Sequence, residues 1–293
     1  TPEVAASPYL AAGARWLLAM DAPEGAIWLG RRFMAWRDRP YLERSGFIAR
    51  VLGHVALGQP DSVRRLLDEL FARRPEPELA LFAVELQAAL LLVDSAPVAA
   101  WRPSAERALR RYAAPGALPE GLGHRAAGML ALLIQPEAGG SGLSPAFSAM
   151  FDAERAARRG AWLEALRRSD AVVADTGAQL SDPVLRSVVT LERGEWLAET
   201  GNPEAARREL RRLEHSDVRG PPIGPPQPAD VDWGLRTLAR WRLATALDAA
   251  GERDEEVCLA YARVGRFWSA GAPEYRARAD SARTRATALG CGD

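Results

Sequence analysis

The chain contains no lysine, so all 38 of its basic residues are arginine. A Walker A loop, a protein-kinase active site and a pyridoxal-phosphate site each require a lysine, so none of them can operate within this sequence. A GC-rich bacterial coding bias accounts for the absence. The motifs HExxH, GxSxG, GxGxxG and CxxC are missing as well. We therefore predict that the chain is not an enzyme and keep catalysis only as a remote alternative.

Metal-binding residue types are scarce. The sequence has two cysteines, Cys258 and Cys291, and three histidines, His54, His124 and His215. A structural zinc site has no CxxC pair from which to start. Each isolated histidine is expected to be a packing or capping residue. The sequence therefore predicts no metal and no cofactor.

Net charge and long apolar runs are also lacking. The 38 basic residues equal the 38 acidic ones, so the formal net charge is zero. A neutral chain has no long-range field that would attract nucleic acid or an anionic membrane. No apolar run approaches the ~20 residues of a membrane span. The chain begins at Thr1 rather than Met, which favours a processed chain or a piece of something larger.

The sequence does have a repeated motif: a helix, a tight turn centred on glycine, and a second helix. The turn glycines are Gly58, Gly160, Gly201 and Gly251. Apolar residues recur at helical spacing nearly everywhere, and no segment alternates as a strand does. The predicted helices span 7–20, 24–38, 41–57, 60–73, 77–93, 103–113, 119–134, 145–159, 161–175, 183–200, 203–215, 230–250, 253–269 and 273–289. The proline-rich segment 219–230 is expected to be an extended connection, with an SH3-type ligand as the alternative.

Small residues accompany the turn glycines at fixed offsets. The matching sets are Gly194, Gly201 and Ala206; Ala153, Gly160 and Ala165; Val51, Gly58 and Val63 with Pro75; and Ala244 and Gly251, where Glu256 replaces the small residue. These hairpins resemble tetratricopeptide repeats (TPR). The resemblance is clear over about 41–75 and 145–270 and poor over 76–144.

The resemblance implies an all-α fold, a right-handed α-α superhelix of about six to seven antiparallel hairpins with a C-terminal capping helix. We expect one solenoid over 1–293, with divergent hairpins in 1–144 and clearer ones in 145–293. Such arrays are found appended to bacterial serine/threonine kinases, adenylate cyclases and transcriptional activators. The implied function is a protein–protein interaction scaffold of a larger bacterial regulatory protein.

In the family, the first helix of each hairpin lines the concave face. Transferring that arrangement to this chain gives twelve partner-binding candidates: Phe147, Met150, Glu154, Arg158, Val188, Leu191, Glu195, Glu199, Leu238, Trp241, Thr245 and Asp248. The groove would be mixed apolar and acidic, which suits an amphipathic or basic peptide. The alternative function is a small-molecule sensing module that uses a pocket of the helical array.

The nine tryptophans allow two interpretations. One group, Trp16, Trp28 and Trp36, lies early in the chain, and Trp233, Trp241 and Trp268 lie late. Tryptophans at helical spacing are expected to pack between helices. An aromatic-lined groove for a peptide or small ligand is the alternative.

A disulfide between Cys258 and Cys291 is the sharper interpretation of the two cysteines. The two last helices should form an antiparallel hairpin that turns near Gly271. The cysteines then lie roughly 20 and 30 Å from the turn along the helix axes. A bend or loop in the last segment would close the gap, whereas a straight hairpin would not. A bridge would imply an oxidising, extracytoplasmic setting, and separate thiols would return the chain to the cytoplasm by default.

Overall fold

The computed structural model describes residues 8–35, 39–73, 75–134, 143–174, 182–215 and 226–291. Within these ranges it has fourteen α-helices, one 3₁₀ helix (Ala96–Trp101) and no strand. The all-α class is therefore confirmed. The helices are α1 (Pro8–Ala19), α2 (Pro23–Met34), α3 (Pro40–Ala56), α4 (Pro60–Ala72), α5 (Pro77–Val93), α6 (Arg102–Ala113), α7 (Glu120–Ile134), α8 (Pro145–Ala157), α9 (Trp162–Ala174), α10 (Pro183–Glu199), α11 (Pro203–Glu214), α12 (Pro228–Ala249), α13 (Glu255–Phe267) and α14 (Pro273–Leu289).

Prolines mark the starts of most of these helices. A proline is well tolerated at the first helical position because the missing N–H would have no partner there. Aspartates cap two of the helices. Asp182 Oδ1 accepts hydrogen bonds from the N–H groups of Val184 (2.9 Å) and Leu185 (3.0 Å), and Asp254 accepts one from Val257 (3.1 Å). The predicted proline-rich connection lies partly outside the described residues, over 219–225.

Glycines in the left-handed backbone conformation follow the first helices of the hairpins, as predicted. The φ angles of Gly58, Gly160, Gly201 and Gly251 lie between 62° and 83°. At the best-formed turn, the N–H of Asn202 donates to the carbonyl of Leu197 at 3.0 Å and closes the last helical turn. The turns are only a few residues long, so consecutive helices pack as antiparallel pairs.

The small residues of the repeated motif lie where helices cross. A Cβ atom added at Gly194 would lie 2.5 Å from the side chain of Leu210. Ala153, Ala165 and Ala206 have no exposed surface. Their small size allows the close packing of neighbouring helices in each hairpin.

Packing divides the chain into two compact units. The first unit comprises residues 1–74, 213–244 and 253–293, and the second comprises 75–212 and 245–252. This division does not follow the boundary near residue 144 that the repeat pattern suggested. In the second unit, most packed helices are close in sequence: α8 packs on α9, α9 on α10, and α5 on α6 and α7. The exception is α5 with α10, which pack together although about a hundred residues separate them.

The first unit joins the two ends of the described chain. The Arg15 guanidinium forms a fully buried, two-pronged ion pair with the carboxylate of Asp230. Trp268 Nε1 donates to the carbonyl of Ala56 at 3.1 Å, more than two hundred positions away. In an open repeat array each repeat contacts only its neighbours. The first unit is therefore not an open array, because its early helices share a core with its late ones.

Candidate interaction surfaces

Five of the twelve predicted groove residues are buried. They are the apolar members Phe147, Met150, Val188, Leu191 and Leu238, each at most 6% exposed. In this conformation they cannot contact a partner, and their assignment to an open groove was wrong. α8 and α10 pack against neighbouring helices of the second unit, so their apolar sides form core rather than surface.

The remaining predicted residues are more accessible. Arg158, Glu195 and Glu199 are exposed, while Glu154, Trp241, Thr245 and Asp248 are half-buried. The expectation that both glutamates of α10 are exposed is confirmed. Residues four apart share one side of a helix, so these two carboxylates form one patch, here called the acidic face (Glu195 and Glu199).

Four of the eight described tryptophans are buried, namely Trp101, Trp196, Trp233 and Trp268, as expected for tryptophans that pack between helices. Trp268 is 1% exposed and packs edge-on against Tyr275, with 4.8 Å between ring centroids. Trp241 lies 6.5 Å from Trp268 in the same aromatic cluster. Trp16 and Trp28 differ, because 40% and 58% of their surface is exposed. Trp36 lies outside the described residues.

The second unit contains a half-open cavity of about 330 Å³. Its lining comes from α9, α10 and α11: Val172, Val173, Leu185, Arg186, Val189, Thr190 and Arg212. The volume is at the lower end of the range for small-molecule sites. Valines and two guanidinium groups together suit a small molecule with an apolar body and an acidic group.

This cavity was not predicted from the sequence, although the spacing of three of its residues on α10 indicates a shared surface. Arg186, Val189 and Thr190 are three and four positions apart, so they share one side of α10. At 100° per residue this side lies nearly opposite the acidic face. The Thr190 hydroxyl donates to the carbonyl of Arg186 at 3.0 Å, and Arg212 Nη1 donates to Glu209 at 3.0 Å.

A second feature missed from the sequence is a buried acid within the apolar helix α5. Glu85 has no exposed surface, and both of its carboxylate oxygens contact the guanidinium of Arg125, with Nε–Oε1 at 3.0 Å. Asp182 Oδ2 lies 3.9 Å from Arg125 Nε and is buried without a hydrogen-bond partner. Burial, followed by the charge of Asp182, raises the pKa of Glu85 to about 8. This carboxyl group can therefore hold a proton near neutral pH.

The histidines offer no assembled metal site. His54 is buried, its Nδ1 lies 2.7 Å from Gln59 Oε1, and burial lowers its pKa. His124 and His215 are exposed. No group of three or more His, Cys, Asp or Glu side chains converges among the residues that the structure describes. None of the described helices has the length and apolarity needed to cross a membrane.

Cys258 and Cys291 are bridged, with a Cα–Cα distance of 5.4 Å. The bend that this bridge requires is at the end of α14. Gly290 adopts a left-handed φ of 73°, and the N–H of Cys291 donates to the carbonyl of Ala286 at 3.0 Å. The chain thereby folds back on the last helical turn and brings Cys291 towards α13.

Comparisons with family models, with curated proteins and with solved structures gave no match for this chain. The resemblance to TPR hairpins therefore depends only on the residues of the repeated motif.

Proposed function

We propose that this chain is a protein–protein interaction scaffold, the TPR-like region of a larger bacterial regulatory protein. The proposal includes a right-handed superhelical path for the hairpins of α8–α11. It is supported by the antiparallel hairpins, the left-handed turn glycines and the small residues at helix crossings. Helical arrays of this kind present extended surfaces that bind peptides.

The observation that carries the proposal is the acidic face. Glu195 and Glu199 project from the first helix of the best-formed hairpin, and both are exposed. The apolar residues expected beside them are buried, so the contact is mainly ionic. Two exposed carboxylates suit a basic or amphipathic peptide, with binding that weakens as salt screens the charges.

A synthetic helical peptide with a leucine stripe and lysines at its other positions tests the acidic face. We expect the double charge reversal E195R/E199R to weaken its binding about tenfold in fluorescence anisotropy. The control is D68R/E69R, which changes two exposed carboxylates of α4 and alters net charge by the same amount. If E195R/E199R keeps the native affinity, or if the native chain does not bind this peptide, the acidic face is not a partner site.

The cavity supports a second candidate function, a small-molecule sensing module. Octanoate combines an apolar chain with a carboxylate and is a suitable probe for the valine and arginine lining. We expect octanoate to raise the thermal midpoint of the native chain but not that of V173W, whose larger side chain fills the cavity. A shift of equal size in both proteins would place octanoate elsewhere and remove the support for this candidate.

The disulfide favours an oxidising, extracytoplasmic setting as part of the proposal. Fractionation of cells that express the natural protein tests this point. A fully reduced pair of thiols in freshly extracted protein would contradict it.

A further inference from the structure

Three large apolar side chains are exposed on the α1–α2 hairpin of the first unit. The exposed fractions are 40% for Trp16, 67% for Met20 and 58% for Trp28. Met20 directly follows α1, and its N–H donates to the carbonyl of Trp16 at 2.9 Å, so the two side chains lie one helical turn apart on the same side. The other large exposed apolar side chains, Leu163 and Leu259, lie singly on α9 and α13.

The side chains nearest to Gly13 and Gly25 show which positions of α1 and α2 lie opposite each other in the hairpin. A Cβ atom at Gly13 would lie 3.7 Å from Leu29, and one at Gly25 would lie 3.5 Å from Leu17. Position 13 is therefore opposite 29, and position 17 is opposite 25. The two helices run antiparallel in this register.

The two tryptophans consequently lie side by side on one face of the hairpin. In this register Trp16 and Trp28 are offset by two residues, ~3 Å along the axis. The opposite face of the hairpin is buried, with Leu18, Ala26 and Phe33 at most 6% exposed. Trp16 and Trp28 both project away from that core.

Exposed arginines flank these apolar side chains. Arg31 and Arg32 are exposed, and neither has an ion pair with a described residue. The Arg32 guanidinium stacks 4.3 Å from the centre of the Trp28 ring. On the α3 side, Arg50 has a buried Nε without a hydrogen-bond partner, and its Nη1 contacts the sulfur of Met34 at 3.1 Å. Burial lowers the pKa of Arg50, the carboxylate of Glu69 partly offsets this shift, and the positive charges of Arg31 and Arg73 add to it.

We propose that this surface, the tryptophan face (Trp16, Met20, Trp28, Arg31 and Arg32), docks an acidic amphipathic helix from a partner protein. The apolar stripe of that helix would cover Trp16, Met20 and Trp28, and its carboxylates would pair with Arg31 and Arg32. Tryptophan, arginine and methionine are the residue types enriched at protein interfaces. Helices bind such surfaces through side chains at positions i, i+3, i+4 and i+7.

Charge selects this occupant over two others. A second copy of the chain, related by a two-fold axis, would bring the arginines of one tryptophan face against those of the other. An anionic membrane is attracted by clusters of about 4–8 basic residues, and only Arg31, Arg32 and the half-buried Arg50 are present here. An acidic helix instead neutralises Arg31 and Arg32, which have no ion pair among the described residues. The acidic face has the opposite charge, so the two surfaces should prefer different peptides.

The experiment uses two synthetic helical peptides with the same leucine stripe, one with glutamates and the other with lysines at the remaining positions. We expect the native chain to bind the glutamate peptide, and R31E/R32E to weaken this binding at least about tenfold. W28A should weaken it at every salt concentration, because it removes apolar contact area. The control L259A removes an exposed leucine of the same unit and should leave the affinity unchanged.

Several results would overturn the proposal. One is that the native chain does not bind the glutamate peptide. Another is that R31E/R32E and the milder R31Q/R32Q both bind it with native affinity. Sedimentation showing a dimer that W28A dissociates would assign the face to a second copy. Binding to phosphatidylglycerol vesicles that depends on Trp28, without peptide binding, would assign it to a membrane. E195R/E199R should leave glutamate-peptide binding unchanged, so failure of the acidic face is distinguishable from failure of this proposal.

Discussion

The two units of the chain are held together in different ways. In the second unit, polar contacts span shorter stretches of chain: Arg193 Nη1 donates to Ser169 Oγ at 2.6 Å across 24 positions, and Arg125 pairs with Glu85 across 40 positions. In the first unit, Arg15 and Asp230 pair across 215 positions. Both units therefore depend on buried polar pairs, but the pair in the first unit joins helices that are much farther apart in the chain.

The α1–α2 turn shows how specific these distant contacts are. Asp21 adopts a left-handed φ of 60°, which is uncommon for a residue other than glycine. Its carboxylate accepts a hydrogen bond from Arg240 Nη1 at 2.8 Å. Arg236 Nη1 donates to the carbonyl of Ala19 at 3.1 Å, near the C-terminal end of α1 where a cation is favourable. Arginines of α12 thus fix the end of α1.

Breaking the buried pair should have the largest effect on stability. D230N removes the carboxylate that forms the two-pronged ion pair with Arg15, and breaking a buried pair of this kind costs about 3–5 kcal/mol. Urea denaturation should show the loss, and D68N, at an exposed aspartate of α4, should show almost none. The double variant R15M/D230L removes both charges and should recover much of the stability. A loss for D230N no larger than that for D68N would contradict the account of the first unit.

The disulfide should have the next largest effect, again in the first unit. The bridge closes a loop of 33 residues, for which chain entropy gives a stabilisation of about 3–4 kcal/mol. We expect C258S/C291S to lower the free energy of unfolding by that amount. The native chain should release no titratable thiol when denatured without a reductant, since it has no free cysteine. Two titratable thiols would refute the bridge.

Two glycines of the second unit have different roles: Gly194 allows close helix packing, and Gly201 allows the left-handed turn. G194V would place side-chain atoms against Leu210, and such overpacking costs about 1–3 kcal/mol. G201A meets no neighbouring atom but must adopt a φ of 73°, which costs roughly 1–2 kcal/mol. Urea denaturation measures both losses. G201N should recover part of the stability lost at the turn, whereas no polar residue should recover the stability lost at position 194. Equal tolerance at both positions would show that α10 and α11 pack less closely than described.

A further expected effect is a dependence of stability on pH in the second unit. The pKa of Glu85 is raised from 4.5 to about 8 in the folded chain, so the folded state holds this proton more tightly than the unfolded state does. Stability from this group is complete below about pH 4.5 and is lost as the pH rises through about 8. E85Q removes the titrating group, so its thermal midpoint should fall less than the native midpoint between about pH 6 and pH 9. The control E120Q changes an exposed glutamate and should follow the native curve.

The helices could be predicted from the sequence because prolines and glycines mark their ends. The segment 77–93 was predicted at the bounds that α5 has, since Pro77 opens the helix and Asp94 follows it. The 3₁₀ helix at Ala96–Trp101 was not predicted, because a short segment carries too little periodicity. The disulfide could be proposed but not decided, since it depends on the bend at Gly290.

The surfaces were harder to predict than the helices. Periodicity shows that Val188 and Leu191 belong to an apolar stripe, but it does not show which neighbouring helix covers that stripe. The exposure of Trp16 and Trp28 has the same cause, because core and surface tryptophans look alike in a sequence. The pairing of Arg15 with Asp230 leaves no local pattern, so only the folded chain shows it.

The central claim is that this chain sorts peptides by charge on two separate surfaces. Simultaneous titration with the glutamate peptide and the lysine peptide, each with its own fluorescent label, tests the claim most directly. The account predicts that one copy of each peptide binds per chain, that neither displaces the other, and that only the glutamate peptide is lost in R31E/R32E. Displacement of one peptide by the other, or loss of both in that variant, would contradict it.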